Sequence, residues 1–357
     1  MEEQSVPTTA NPEEATPAAP PPQVIELKTG SNRSALWTLL GVGLGFSLPA
    51  LLCGFLFMAS IIGLGVAGAA AGGGTSTTTS SGFGDAVAIV RVEGVITHSD
   101  SSEFSSNATS GRVIADLEAA ANDDSVKAII LRVDSPGGTV TGSAQIYETI
   151  KGTNKPVVVS MAGVAASGGY YISAPADYII ARPDTTTGSL GVVLTLYDAQ
   201  ELAEKVGIKV NSIASGPNKT IGSPWEEMTA EQQEILEAFI DESYDEFVRI
   251  IADGRNLDKE TVLELADGRI YSGRQALELG LVDQLGNFDD AVDKAAALGG
   301  IAGEPRIVEY EHLPSFQDLL LSFSSRLQKN EADRVMEIIS EFTTPRLEYR
   351  YVGPGAQ

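Results

Sequence analysis

Between Ser34 and Gly74 the chain carries no charged residue, and Ala35 to Ala71 is built mostly from Leu, Gly, Ala, Val, Ile and Phe. About 20 such residues cross a bilayer as a helix, so this stretch predicts one membrane crossing with a Gly/Ala-rich extension, and Pro49 is placed to kink it. Whatever follows must then fold on one side of a membrane. Lys28 and Arg33 precede the run, whereas no Lys or Arg follows it before Arg91. That bias puts the N-terminus in the cytosol and the bulk of the chain outside. Two other readings compete. Ala67-Gly68-Ala69 has the form of a signal peptidase site, but the apolar run before it is about twice the length of a secretory signal core, which favours retention. Gly41-Val-Gly-Leu-Gly45 has the spacing of a nucleotide loop, but it follows no strand and lies in the apolar run, where small residues serve helix packing.

Flanking composition sets the remaining boundaries. Residues 1–33, rich in Pro, Glu, Thr and Ala, are expected to be a disordered cytosolic tail. Residues 34–71 form the expected transmembrane anchor, and residues 72–84, a Gly/Ser/Thr run, a flexible stalk. A net charge of -24 over 357 residues excludes nucleic acid as a partner, because phosphate backbones repel such a surface. The single cysteine, Cys53, lies in the apolar run, and the two histidines, His98 and His312, are isolated. No metal, cofactor or Ser-His-Asp triad is therefore expected. Two sequons, at Asn107 and Asn218, matter only in a glycosylating host.

After the stalk, short β-branched runs alternate with helical periodicity. Strands are predicted at Ala86 to Ile96, Val126 to Val133, Pro156 to Met161, Tyr178 to Ala181 and Lys209 to Ile213. Helices are predicted at Gly111 to Asn122, Gly142 to Lys151, Tyr170 to Ala176, Asp198 to Val206, Thr229 to Gly254 and Arg274 to Leu279, with Thr261 to Ala266 and Phe288 to Leu298 as further segments given no type. Such alternation implies an α/β fold with parallel strands and right-handed crossovers, whose working edge is the set of loops at the strands' carboxyl ends. An apolar stripe from Phe316 to Leu327 is expected to pack on a neighbouring element or a membrane surface.

Two of those loops carry candidate chemistry. Ala165-Ala-Ser-Gly-Gly-Tyr-Tyr171 puts Ser167 at a helix start, where free amides and the helix dipole favour an oxyanion and small neighbours admit a substrate backbone. Ser167 is the candidate nucleophile; a plain N-cap is the other reading. Asp134-Ser-Pro-Gly-Gly138 offers an amide at Gly138 that, with that of Ser167 or Gly168, makes a two-donor oxyanion hole, or else it is an ordinary tight turn. Lys219 stands in a Gly/Pro-defined loop, Ser215 to Pro224, the kind of setting in which desolvation lets a lysine act as general base; exposed loop lysines are far commoner.

Taken together, Ser135-Pro-Gly-Gly138, Ala165 to Tyr171, Thr187-Gly-Ser-Leu-Gly191, Gly216 to Pro224 and Ala266-Asp-Gly-Arg269 through Gly280-Leu-Val-Asp283 resemble, in order, the blocks of the bacterial signal peptide peptidases of the SppA type. The likeness runs over roughly Ala86 to Leu298. It implies a repeated β-β-α spiral of the Clp protease and crotonase superfamily, here in a short single-domain form spanning residues 85–298, with residues 299–357 as a C-terminal extension. It also implies Ser167 as nucleophile, Lys219 as base, Ser189 as the hydroxyl that orients the lysine, and Gly138, Ser167 and Gly168 as oxyanion donors. Ring assembly and signal peptides left in the membrane as substrates are implied as well. A catalytically silent, ring-forming membrane scaffold and a crotonase-like acyl-CoA enzyme are the competing functions.

Overall fold

The computed structural model describes residues 76–81, 84–98, 107–312 and 347–353. The expected tail, the anchor with Cys53 and the Phe316 to Leu327 stripe lie outside them. Among the described residues no helix is long and apolar enough to cross a membrane.

The chain is a mixed α/β structure. Its main sheet runs β1 (Ser76–Ser81), β13 (Arg306–His312), β2 (Ala86–Glu93), β5 (Val126–Ser135), β7 (Val157–Ala166), β8 (Tyr178–Ala181) and β12 (Gln284–Leu285). All neighbours from β13 to β12 are parallel, and β1 closes the edge antiparallel. β9 (Thr186–Gly188) pairs with the far end of β7 and, on its other side, with β11 (Ile270–Ser272). A second, smaller sheet joins β10 (Val193–Leu194), β14 (Leu347–Arg350), β6 (Gly137–Thr139), β3 (Ile96–Thr97) and β4 (Ala108–Thr109). Each early crossover thus repeats one unit: a long strand in the main sheet, a short strand in the second, then a helix. β2, β3 and α1 (Ser110–Asn122) make the first; β5, β6 and α2 (Val140–Gly152) make the second.

The near-continuous apolar strands follow from burial on both faces. On one face Val87, Ala128, Ile130, Val158 and Ile180 meet Ala291, Ala295 and Ala296 of α8 (Phe288–Leu298). On the other, Ala88, Val90, Ile129, Leu131, Val133, Val159 and Met161 share a larger core with α1, α2, α3 (Gly168–Ser173) and α5 (Ala230–Arg255). Arg132, whose side chain leaves β5, donates to Ser160 Oγ (2.7 Å) and lies 5.4 Å from the Phe288 ring centre, so this cation sits over an aromatic face.

Helix ends follow local chemistry. Thr229, Ser272 and Asn287 cap α5, α7 (Gly273–Glu278) and α8, each in a reciprocal capping box with the residue three places on. α5 ends at Asn256 in the left-handed region, at φ 53°.

Several expectations are corrected. Lys209 to Ile213 forms no strand: Ile213 is 96% exposed, so its β-branched residues have no sheet to join. The helix before it is short, α4 (Gln200–Lys205), and α6 (Lys259–Leu265) follows α5. Within the expected flexible stalk, Ser76–Ser81 pairs along its whole length with β13, whose backbone edge it satisfies. The stretch after Leu298 is no mere appendage either, since β13 and β14 each complete a sheet. The Ser135 to Gly138 turn contributes a strand, β6, to the second sheet.

Candidate active site

β7 ends in small residues, Ala165 and Ala166, both fully buried. At Ser167 the chain turns abruptly, with φ 53° and ψ -116°, and α3 begins at Gly168. A non-glycine residue there is costly, on the order of 1 to 3 kcal/mol, and such strain concentrates at working sites. Ser167 is 1% exposed, and its hydroxyl makes no capping bond to the helix it precedes. The plain N-cap reading therefore fails: the residue has the position of a cap and not its hydrogen bond.

The amides around it divide into used and available ones. Ser167 N–H donates to the Gly188 carbonyl (2.8 Å), which commits it to the β7–β9 ladder. The expectation that it serves as an oxyanion donor is corrected, because its hydrogen is already held by the Gly188 carbonyl. Gly137 shows why the loop needs glycine. Its φ is +92°, and a methyl built on it would stand 2.5 Å from the Gly168 nitrogen and 2.0 Å from the Tyr349 carbonyl oxygen. Gly168 nitrogen and the Tyr349 carbonyl oxygen thus both border the space that only glycine leaves open. The β6–β14 register places Gly138 opposite Tyr349, and the Tyr351 N–H donates to the Pro136 carbonyl at 2.7 Å. In an antiparallel ladder bonded pairs alternate, so Gly138 and Tyr349 form the next bonded pair and the Gly138 amide points at that same carbonyl.

Ser189 lies beside this cluster. It has φ 49°, its N–H donates to the Arg269 carbonyl (2.7 Å), and it directly follows Gly188, the residue that receives the Ser167 amide. Lys219 is not part of the convergence. It is exposed, in a run of turns held by Gln232 Nε2 donating to Pro217 (2.9 Å) and by Asn218 Nδ2 donating to Glu231 (3.2 Å). The stretch around it, Tyr197 to Phe239, exposes Tyr197, Leu202, Val206, Ile208, Val210, Ile213 and Phe239.

Sequence reasoning passed over two features. Ser143, on α2, is fully buried with no hydrogen-bond partner among the described residues, and a methyl on Gly168 would come within 2.6 Å of its hydroxyl. A serine inside a helix gives no pattern to notice. The second is an aromatic cluster: Tyr171 stacks on Tyr349 (4.9 Å between centroids), Phe247 leans on both, and Tyr147 meets Tyr171 edge-on. Burial raises the phenols of Tyr170, Tyr171 and Tyr349 well above their ordinary range, so all three stay neutral. Among the described residues no group of three His, Cys, Asp or Glu side chains converges to hold a metal ion.

With this geometry in place, relatives are informative. The family model "Peptidase family S49" matches residues 149–302, and that of "Clp protease" matches residues 93–187. A protein of Enterococcus faecium named "Putative signal peptide peptidase SppA" is 36% identical over 251 residues, 67% of this chain and 73% of that one. The chain belongs to peptidase family S49. This S49 peptidase is also 44% identical over 200 residues to a "Putative protease" of Methanocaldococcus jannaschii, covering 56% of this chain and 63% of the relative. A "Putative protease" of Synechocystis is 48% identical over 186 residues, covering 52% and 66%. In these two cases the match spans less than two thirds of the relative. The S49 match contains Ser167, Ser189 and Lys219, and the Clp match contains Gly138, Ser167 and Gly168.

Proposed function

We propose that this S49 peptidase is a membrane-tethered serine endopeptidase with a Ser-Lys dyad, acting on signal peptides left in the membrane and on similar apolar segments. The observation that carries the reading is Ser167 itself: a strained, non-capping serine at a strand-to-helix junction, one residue from the Gly168 amide. In the proposed reaction neutral Lys219 takes the hydroxyl proton as Ser167 Oγ adds to the scissile carbonyl, and then protonates the leaving amine. The Gly138 and Gly168 amides hold the oxyanion, a contribution of about 3 to 4 kcal/mol per donor. Water then hydrolyses the ester and restores the serine. Ser189 is the positioning residue for the lysine, and no metal or cofactor takes part.

Residues 34–71 supply the tether, with the N-terminus in the cytosol and the catalytic domain outside. A homo-oligomeric ring is the proposed assembly, supported by the exposed apolar residues around Lys219. The Enterococcus relative, named a putative signal peptide peptidase, supports the substrate class.

Replacing Ser167 by Ala or Lys219 by Ala should abolish hydrolysis of an apolar peptide while leaving the circular dichroism spectrum unchanged. A serine-reactive acylating probe should label the native chain and not Ser167→Ala. Labelling that persists in the variant would favour the silent scaffold instead.

A further inference from the structure

A hydroxyl inside a helix has a partner close at hand, the carbonyl four residues back. Three side chains of this chain use it: Thr149 donates to Gln145 at 3.0 Å, Ser173 to Gly169 at 2.6 Å and Ser243 to Phe239 at 3.2 Å. Ser143 does not. It stands in the first turns of α2, whose start is already capped by Thr139 accepting from the Gly142 N–H at 3.2 Å. Its hydroxyl therefore has no capping task, yet it is fully buried with no hydrogen-bond partner among the described residues. A buried hydroxyl left unpaired costs stability. A partner that arrives only during turnover reconciles that cost with the position. The hydroxyl lies against the candidate site. Of the atoms around the point where a Gly168 side chain would begin, Ser143 Oγ is the nearest, at 2.6 Å, and Gly137 Cα stands 3.1 Å from the same point. Gly168 follows Ser167 and carries one of the two amides proposed for the oxyanion, whereas the Ser167 N–H, held by the Gly188 carbonyl, cannot donate there.

We propose that Ser143 is a third donor to the oxygen of the tetrahedral intermediate on Ser167, acting beside the Gly138 and Gly168 amides. This rests on Ser167 being the nucleophile. As Ser167 Oγ adds to the scissile carbonyl carbon, the carbonyl π pair moves onto the oxygen and the serine proton goes to the base. The Ser143 O–H rotates to that oxygen and donates to it. No bond to Ser143 forms or breaks, and its proton stays on its own oxygen. When the C–N bond breaks and the amine leaves with the proton from the base, the C=O re-forms and the Ser143 hydroxyl is released. An interaction made only in the transition state lowers the barrier without tightening substrate binding, so its effect falls on kcat and not on KM.

The test uses the full-length chain and one apolar peptide. Ser143→Ala should lower kcat by about tenfold or more, with KM changed by less than about twofold. Its melting temperature should hold or rise, because an unpaired buried hydroxyl is gone and alanine favours the helix. Rate and stability then part company, as they do not for a serine that only packs. Thr149→Ala, which removes a hydroxyl of the same helix that is bonded to Gln145, should keep the native kcat. A peptide aldehyde acquires the same oxygen when Ser167 Oγ adds to it. It should bind Ser143→Ala about tenfold or more weakly than the native chain, and Ser143→Cys, which keeps a weak donor in place, should fall between the two. A native kcat in Ser143→Ala, beside an inactive Ser167→Ala, overturns the third donor and leaves the nucleophile standing. Unchanged aldehyde affinity does the same. A kcat that falls together with the melting temperature makes Ser143 a packing residue and overturns the proposal. Hydrolysis of the peptide by Ser167→Ala removes the nucleophile, and the third donor with it.

Discussion

At the scale of single residues, the site depends on positions where a side chain would stand in the place of a carbonyl. Gly137→Ala adds a methyl 2.0 Å from the Tyr349 oxygen and 2.5 Å from the Gly168 nitrogen, at a backbone φ of +92° that an L side chain resists. Conformational strain of about 1 to 2 kcal/mol, with the clash against backbone atoms added to it, should lower the melting temperature by several degrees. If the Gly168 amide holds the oxyanion, a methyl 2.5 Å from its nitrogen displaces the reacting oxygen, and the larger effect is on catalysis. A loss in kcat/KM of about 100-fold or more is expected. A variant that melts lower and hydrolyses peptides at the native rate would show that the carbonyl does not sit there in turnover. The placement of Ser167 and its glycines between a strand and a helix was legible, because an apolar β-branched run ends there in small residues. The commitment of the Ser167 amide to Gly188 was not legible, since it depends on β9 pairing with β7.

Elements differ in the same respect. β2, β5 and β7 announce themselves because apolar runs buried on two faces need no partner pattern, and α5 because its apolar positions recur with a capping box at its start. β14 was unreadable. Leu-Glu-Tyr-Arg is an ordinary tetrapeptide, and its strand exists only because β6 and β10 present edges to it. Lys209 to Ile213 fails in the opposite direction, with β-branched residues and no sheet to receive them. β14 is paired on both sides, to β6 and to β10. If β14 competes with incoming peptide, a chain ending at Arg346 should show a KM several-fold lower at unchanged kcat, because the competitor lowers only the fraction of sites open to substrate. Steady-state kinetics on one peptide decides the matter. An unchanged KM means that peptides do not enter between β6 and β10.

At the scale of the whole molecule two kinds of group set behaviour. Tyr170, Tyr171 and Tyr349 are buried, and desolvation raises each phenol above its ordinary value of 10.0. Their folded values exceed the unfolded one, so their contribution to stability is complete below pH 10 and drains away as pH rises through the folded values. The slope is up to about 1.4 kcal/mol per pH unit for each group. The melting temperature should fall from about pH 10 upward, with the tyrosinate absorbance of these residues appearing only as the chain unfolds. Ionisation of all tyrosines ahead of unfolding would contradict their burial. The other group is Lys219, exposed on an arm whose apolar side chains are also exposed, while Ser167 is buried. A base must lose solvent to work near neutrality, and a second copy packed on that arm would both cover the apolar residues and dehydrate the amine. If the lysine of one subunit serves the serine of the next, two dead variants complement each other. Mixing Ser167→Ala with Lys219→Ala, after dissociation and reassembly, should restore hydrolysis at roughly a quarter of the sites for random mixing in a closed ring. Mixtures as inactive as their components, in assemblies shown by sedimentation to contain both, would place serine and lysine in the same subunit.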